Sequence, residues 1–164
     1  MFSKLKRMFN NENSLQIAAP LSGKICPLSA VNDPTFSQEI LGKGCAIEPS
    51  DGKVVAPVDA IVSMMFDTGH AVSLETSDGV EMLIHVGLDT VMLKGQHFTA
   101  HCATGDKVKA GDTLLTFDAS AIRAAGYDTI VPVIVCNADD FKEVSIAATG
   151  DTVNAMDALL TLKK

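Results

Sequence analysis

Aromatic, basic and cysteine residues are all scarce in this sequence, and each scarcity narrows the range of functions. There is no tryptophan and only one tyrosine, and 13 basic residues stand against 20 acidic ones, for a net charge of −7. Such an acidic chain is poorly suited to the phosphate backbone of DNA or RNA, so we expect no nucleic-acid partner. No apolar run approaches the roughly 18 residues of a membrane-spanning helix, and the N-terminus has no apolar segment of signal-peptide length.

The four cysteines are far apart and form no Cys-x-x-Cys motif; they are Cys26, Cys45, Cys102 and Cys136. Reduced thiols in a cytoplasmic protein are the expected state of cysteines with this spacing. With 164 residues, 47% of them hydrophobic, the chain is long enough to form one domain with its own core. We place that domain at residues 15–164.

Residues 1–14 are expected to form a flexible tail with amphipathic character. Apolar residues recur there at helical spacing, with basic residues between them: Phe2, Leu5, Met8 and Phe9, and Lys4, Lys6 and Arg7. Two interpretations stay open, a lightly basic disordered tail or a weak contact of residues 1–9 with a membrane surface. One short helix buries too little apolar area to anchor a protein firmly.

Beyond the tail, short β-branched runs alternate with Gly, Pro, Asp and Ser, which predicts an all-β sandwich or barrel. The predicted strands are Gln16–Ala19, Gly23–Pro27, Cys45–Pro49, Lys53–Ala56, Ala60–Met65, His70–Thr76, Glu81–Val86, Thr113–Asp118, Thr129–Val135 and Ala158–Leu162. Two short helical pieces are also predicted, one after Asp33-Pro34 and one over Ala119–Ala125 with Asp118 as its N-cap.

Two segments of the chain resemble each other. IAAPLSGKI at 17–25 and VVAPVDAIV at 54–62 share a β-run, Ala-Pro, a turn and another β-run. The pattern indicates either a duplicated β-unit or the chance recurrence of a strand–Pro–turn motif, and the residues alone do not decide between them.

The stretch EMLIHVGLDTV, residues 81–91, has the pattern of a buried strand, yet it carries His85. Asp78-Gly79 is a strong signal for a two-residue hairpin loop before it. That loop would place His70 opposite Gly87, and side chains alternate along a strand. His70 and His85 would then be diagonal neighbours on one sheet face, about 7–8 Å apart. We expect both imidazoles to be open to solvent in a shallow depression.

Two imidazoles on one face allow three interpretations. They could be satisfied core histidines, or they could bind a metal, although two ligands fall short of the three that catalytic zinc usually takes from a protein. His97 and His101 lie in a polar stretch with no motif that ties them to the pair. The third interpretation is a neutral imidazole that attacks phosphorus while its other N–H is held by an acceptor. Thr68 could then orient the second ring.

The residues around His85 also carry a family resemblance. GVEMLIHVGLDTV at 79–91 closely resembles the active-site signature of glucose-type enzyme IIA proteins, which belong to the bacterial phosphoenolpyruvate-dependent sugar phosphotransferase system. The likeness extends to Thr68-Gly69-His70, to VVAPVDAIV, to LKGQHF at 93–98 and to GDKVKAGDTLLTFD at 105–118. It runs from about residue 15 to the end and is looser in the last third. Gly69 stands where some members carry Asn.

The resemblance implies an antiparallel β-sandwich of the duplicated hybrid motif or barrel-sandwich type, acting as a phosphotransferase component. His85 would accept a phosphoryl group from the histidine-containing phosphocarrier protein and pass it to a cysteine of a sugar permease IIB domain. His70 would steady the phosphoryl group, and Thr68 would hold the ring of His70. Stand-alone members also bind transporters and metabolic enzymes as regulators.

The resemblance further implies a docking surface around the histidines. Its expected partner-binding residues are Asp33, Phe36, Ile40, Gly87, Asp89 and Val91. No cofactor is required, although His70 and His85 could bind zinc opportunistically, with further ligands from water or from a partner.

Two other classes compete with this interpretation. GDKVKAGDTLLTFDA also resembles a biotinyl or lipoyl carrier domain, but that carrier needs a modifiable lysine at a hairpin tip, usually flanked by Met. Here Met92-Leu93-Lys94-Gly95 does not have that symmetry. A zinc-dependent hydrolase on a related β-scaffold would need a third ligand such as a paired His-x-His, which the sequence does not contain.

Overall fold

The computed structural model describes residues 13–148 and 150–164, which form fourteen strands and two short α-helices. The strands are β1 (Ser14–Ala18), β2 (Gly23–Pro27), β3 (Lys43–Pro49), β4 (Lys53–Val55), β5 (Ala60–Met65), β6 (Ala71–Glu75), β7 (Glu81–His85), β8 (Phe98–Ala100), β9 (Lys107–Val108), β10 (Thr113–Phe117), β11 (Val131–Val135), β12 (Glu143–Ile146), β13 (Thr152–Val153) and β14 (Ala158–Lys163). The helices are α1 (Pro34–Ser37) and α2 (Ala119–Ala124), and single 3₁₀ turns cover Leu28–Ala30, Thr90–Leu93 and Ala138–Asp140. Among these residues, no helix has the length and apolar character to cross a membrane. Of the predicted tail, residues 1–12 lie outside the described residues.

The strands form one eight-stranded sheet in the order β13-β2-β3-β11-β7-β6-β5-β9 and two three-stranded sheets, β1-β14-β12 and β4-β10-β8. Every pairing is antiparallel, which confirms the predicted all-β fold. All ten predicted strands are present, with ends that differ by at most two residues. Four strands were not predicted: β8, β9, β12 and β13. Both predicted helical pieces are confirmed, and the Asp118 carboxylate accepts a hydrogen bond from Ala121 N, as an N-cap should.

Alternation along β7 explains how the large sheet buries apolar side chains on both faces. Met82 and Ile84 point into the main core, which lies between the sheets. Leu83 points the other way, into a smaller cluster that α1 and the 3₁₀ turn before it form with the outer face of the sheet. Phe36 on α1 is 4% exposed and belongs to this outer cluster. The outer cluster lies beside the C-terminal end of β7, where His85 is found.

The resemblance between residues 17–25 and 54–62 reflects a duplicated unit. Ala19 N donates to Asp157 O at 2.7 Å, and Ala56 N donates to Asp112 O at 2.8 Å. Each aspartate also accepts, through its side chain, the backbone N–H three residues earlier, at 2.8 Å in both copies. The order of the large sheet is likewise symmetric about the β11–β7 pair. Matching hydrogen bonds at matching positions exclude a chance recurrence of the motif.

Candidate active site

His85 is the last residue of β7, and its ring is fixed by a local hydrogen bond. Nδ1 lies 2.8 Å from the carbonyl oxygen of Gly87. A carbonyl oxygen can only accept, so Nδ1 must carry the proton and donate it. In the neutral ring, Nε2 therefore has the free lone pair. The side chain is half-buried.

The loop after His85 holds the Gly87 carbonyl in place. Gly87 has φ +80°, and its N–H donates to Ile130 O at 2.9 Å. Leu88 N donates to Asp128 O at 3.1 Å, and the Thr90 hydroxyl donates to Val86 O at 2.5 Å. Because the loop is tied both to itself and to the chain that leads into β11, the acceptor for His85 is rigid.

His70 lies beside His85, but it is buried. The two ring centroids are 4.9 Å apart, with the planes at 83°. His70 Nδ1 lies 2.5 Å from Thr68 Oγ1, so the predicted contact between Thr68 and His70 is present. His70 is only 3% exposed. The prediction that both imidazoles are open to solvent was therefore wrong for His70, because Phe66, in the same connection, and Phe98, on β8, pack against its ring.

The predicted hairpin register was also wrong. Ala71, not Val72, pairs with His85, and Val86 N donates to His70 O at 2.7 Å. The loop has three residues, Ser77-Asp78-Gly79, so His70 is not the diagonal neighbour of His85 on a regular sheet face. The rings still meet because His70 precedes β6 and His85 ends β7. At strand ends the strict alternation of side chains no longer applies.

The predicted rim residues take different positions. Phe36 lies against His85, with ring centroids 5.2 Å apart. Asp33 is the N-cap of α1, and its carboxylate accepts from Thr35 N at 3.0 Å. Ile40 is 65% exposed and Val91 is 49% exposed, so both present apolar surface. Sequence reasoning missed the aromatic residues around His70, whose rings make edge contacts with it: Phe66 and Phe98.

Burial keeps both histidines neutral near pH 7. Burial, with a smaller contribution from the neighbouring His85, lowers the pKa of His70 to about 4. Burial also lowers the pKa of His85 below 6.5. The Gly87 carbonyl and the carboxylates of Asp33 and Asp89 raise this pKa, but their effect is smaller than that of burial. A neutral imidazole retains a nucleophilic lone pair, so the site is suited to nucleophilic chemistry.

The histidine pair supplies at most two metal ligands. Among the described residues, no three His, Cys, Asp or Glu side chains are grouped closely enough to bind a metal ion. A zinc ion at the pair would need its other ligands from water or from a partner protein. Opportunistic zinc binding therefore stays a prediction.

Comparisons with known proteins match most of the chain. A family model described as phosphoenolpyruvate-dependent sugar phosphotransferase system, EIIA 1, matches residues 15–141. A glucose-specific EIIA component from Halalkalibacterium halodurans is 42% identical over 170 residues, covering 99% of this chain and 98% of that protein. A similar component from Oceanobacillus iheyensis is 43% identical, with 88% of each chain covered. A solved structure of glucose permease IIA from Mycoplasma capricolum has a TM-score of 0.85 and 34% identity, covering 94% of this chain and 99% of that one.

Other relatives are much longer. The β-glucoside-specific EIIBCA component of Bacillus subtilis is 49% identical over 146 residues, but the chain spans only 24% of its length. These relatives do not favour the biotinyl or lipoyl carrier alternative.

Proposed function

Since the chain belongs to the EIIA 1 family of the phosphoenolpyruvate-dependent sugar phosphotransferase system, whose members are phosphocarriers of sugar transport, we propose that His85 is its phosphorylated residue. The observation that carries the proposal is the hydrogen bond from His85 Nδ1 to the Gly87 carbonyl. It fixes the tautomer and leaves Nε2 as the nucleophile. A phosphohistidine at this atom makes the chain a phosphotransferase component.

The transfer step involves one bond made and one broken at phosphorus. The lone pair of His85 Nε2 attacks the phosphoryl group on the histidine of the phosphorylated carrier protein. A new P–N bond forms, and the pair of the old P–N bond returns to the donor's ring. The proton on His85 Nδ1 stays there, held by the Gly87 carbonyl. Onward transfer to a cysteine thiolate reverses this at His85: the P–N bond breaks as a P–S bond forms.

His70 is proposed to stabilise the phosphoryl group without being phosphorylated itself. Its ring lies 4.9 Å from that of His85. If Thr68 Oγ1–H donates to His70 Nδ1, then Nε2 carries the proton and can donate to a phosphoryl oxygen. A donor already in place where negative charge collects costs no reorganisation during the reaction.

The proposed partners are the histidine-containing phosphocarrier protein and a permease IIB domain, and the proposed location is the cytoplasm. Two similar proteins, from Bacillus subtilis and Corynebacterium glutamicum, are named EIIBCA components. Names that join EIIA with EIIB and EIIC support the IIB partner. Exposed Ile40 and Val91 provide apolar contact, while Asp33 and Asp89 suit a basic partner surface. All four cysteines are unpaired thiols, in keeping with a reducing compartment.

We also propose that phosphorylation selects partners through charge. It adds about −1.5 to −2 charges beside Phe36 and close to two carboxylates. A regulatory partner with apolar or acidic groups at this surface would have to desolvate that anion, whereas a basic partner could pair with it. The test is to measure binding of a candidate target, a transporter or kinase from the same organism, to both forms. Equal affinities would refute the idea.

Labelling with radioactive phosphoenolpyruvate tests the central proposal. The protein is mixed with enzyme I and the carrier protein, and the labelled residue is located. We expect His85→Ala to take no label, and His70→Gln to take label but pass it on poorly. His101→Ala is a matched control, because His101 is exposed and its ring is bonded to the side chain of Thr116, away from the histidine pair. Label that persists in His85→Ala would overturn the assignment.

A further inference from the structure

The backbone of the turn that presents His70 is held by hydrogen bonds from Gly69 N to Phe66 O at 2.8 Å and from Val86 N to His70 O at 2.7 Å. The turn consists of Thr68, Gly69 and His70, and Gly69 has φ +69°, a conformation that glycine adopts without strain. Gly69 contributes no side chain that could pack against a neighbour. The Thr68 hydroxyl bonds to Nδ1 of His70. The His70 ring also packs edge-on against Phe66, at 5.4 Å between centroids, and against Phe98, at 6.4 Å. Phe66 belongs to the same connection as His70, so Phe98 is the support that comes from another part of the fold.

Phe98 contacts this turn at two points. A Cβ atom on Gly69 would lie 3.3 Å from the Cβ of Phe98, so the phenylalanine fills the space beside the turn. The Phe98 ring also meets the His70 ring edge-on, with centroids 6.4 Å apart and planes at 71°. One residue therefore supports both the backbone of the turn and the imidazole it carries.

Phe98 is itself held from behind. It lies on β8, in register with Phe117 on β10, and the two rings are 6.5 Å apart. Phe117 is 7% exposed and belongs to the main core. Contact thus runs without interruption from the core, through Phe117 and Phe98, to His70.

We propose that Phe98 is a positioning residue for His70, which sets the tilt of that ring toward the phosphoryl group on His85. This inference rests on the proposed phosphotransfer function and extends it to a residue outside the histidine pair. Phe98 acts through packing and does not touch the reacting atoms. Its substitution should therefore slow transfer without weakening partner docking.

The test uses Phe98→Leu, which keeps an apolar side chain but removes the ring edge. Phe141→Leu is the matched control, because Phe141 is also a partly buried phenylalanine packed on the main core, and the ring contacts of the described residues do not include it. With a IIB domain as acceptor, we expect kcat for onward transfer to fall between about tenfold and a hundredfold, as for a small displacement of a reacting group. KM for the IIB domain should stay unchanged, and the control should match the wild type in both.

A second measurement separates positioning from general damage. In an NMR titration, the pKa of His70 should rise from about 4 toward 6.5 in Phe98→Leu, because the ring loses part of its cover. The control should show no such rise. If Phe98→Leu does not fold, Phe98→Met, which fills more of the space, replaces it in both assays.

Three outcomes would overturn the inference: unchanged kcat, a change in KM alone, or an unmoved pKa for His70. Failure of the proposed function looks different, because the wild type itself would then take no label on His85. The titration of His70 needs no phosphotransfer, so it decides the role of Phe98 in that case as well.

Discussion

The substitution Gly87→Ala should be costly, because Gly87 joins the site to its support. The residue has φ +80°, where an L-residue costs about 1–2 kcal/mol. An added Cβ would lie 2.5 Å from Thr90 Cγ2 and 2.7 Å from the carbonyl oxygen of Asp128. Thr90 is fully buried and Asp128 presents backbone, so neither can move aside easily. Overpacking of this kind costs about 1–3 kcal/mol, which brings the expected loss of unfolding free energy to about 2–5 kcal/mol.

Gly79→Ala provides the matched control. Gly79 has φ +84°, nearly the same conformation, but an added Cβ would meet nothing within 4 Å. It should therefore lose only the conformational part, about 1–2 kcal/mol. Urea unfolding followed by circular dichroism gives both values, and their difference isolates the close contacts at Gly87.

Function should change together with stability in Gly87→Ala. If the loop shifts to relieve the contacts, the Gly87 carbonyl moves away from His85 Nδ1, and the ring is free to exchange tautomers. Nitrogen NMR of the imidazole should show Nδ1–H alone in the wild type and in Gly79→Ala, but a mixture in Gly87→Ala. Equal losses of stability in the two variants, or an unchanged tautomer, would refute this account of the loop.

Three further predictions concern pH, zinc and thiols. The folded protein holds the pKa of His70 at about 4, so the unfolded state takes up that proton first as pH falls below 6.5. The unfolding free energy should thus drop by about 2 kcal/mol more in the wild type than in His70→Gln between pH 7 and pH 5; parallel pH profiles would contradict this. Zinc should bind the wild type more tightly than His70→Ala in calorimetry, and equal affinities would place the metal elsewhere. A thiol reagent at pH 8 should modify exposed Cys136 in the folded protein, but Cys45, whose pKa burial raises to about 12, only after unfolding. Early modification of Cys45 would show that its strand opens.

Local patterns predicted most of the strands and both helices, but they did not predict the length of the hairpin loop before β7. Asp78-Gly79 suggested a two-residue loop, but Thr76 closes a loop of three residues, with its hydroxyl accepting from Val80 N. Gly79 takes the left-handed position of a three-residue hairpin. Both loop types favour an Asp-Gly pair, so the choice depends on the side chain of Thr76, which the dipeptide signal does not include.

Short strands were missed because their partners define them. β9 and β13 have only two residues each, too few for any periodicity. A signal for them was present nonetheless: GDKVKAGDTLLT at 105–116 repeats as GDTVNAMDALLT at 150–161. That repeat would have indicated that the segments around β9 and β13 are equivalent and would have extended the duplication beyond residues 17–25 and 54–62.

Interactions of the candidate site between residues that are close in the sequence were predictable, whereas those between distant residues were not. His85 and Gly87 are two residues apart on one strand end, so the sequence pattern contains their interaction. The burial of His70 depends on Phe66, four residues earlier in the same connection, and on Phe98, which comes from β8. No pattern around His70 itself reports the Phe98 ring.

The duplication also shows why the candidate site is not repeated on the symmetry-related strand. The sheet is symmetric about the pair Ile84–Val133, so the counterpart of His85 on β11 is Ile134. The two connections that should correspond differ in length: residues 28–42 join β2 to β3, whereas residues 66–70 join β5 to β6. The longer connection carries α1 and covers Ile134 completely, while Phe36 at the same helix only borders His85. Duplicated strands therefore supply the same support on both sides of the axis, and the unequal connections leave His85 partly exposed while its counterpart is buried.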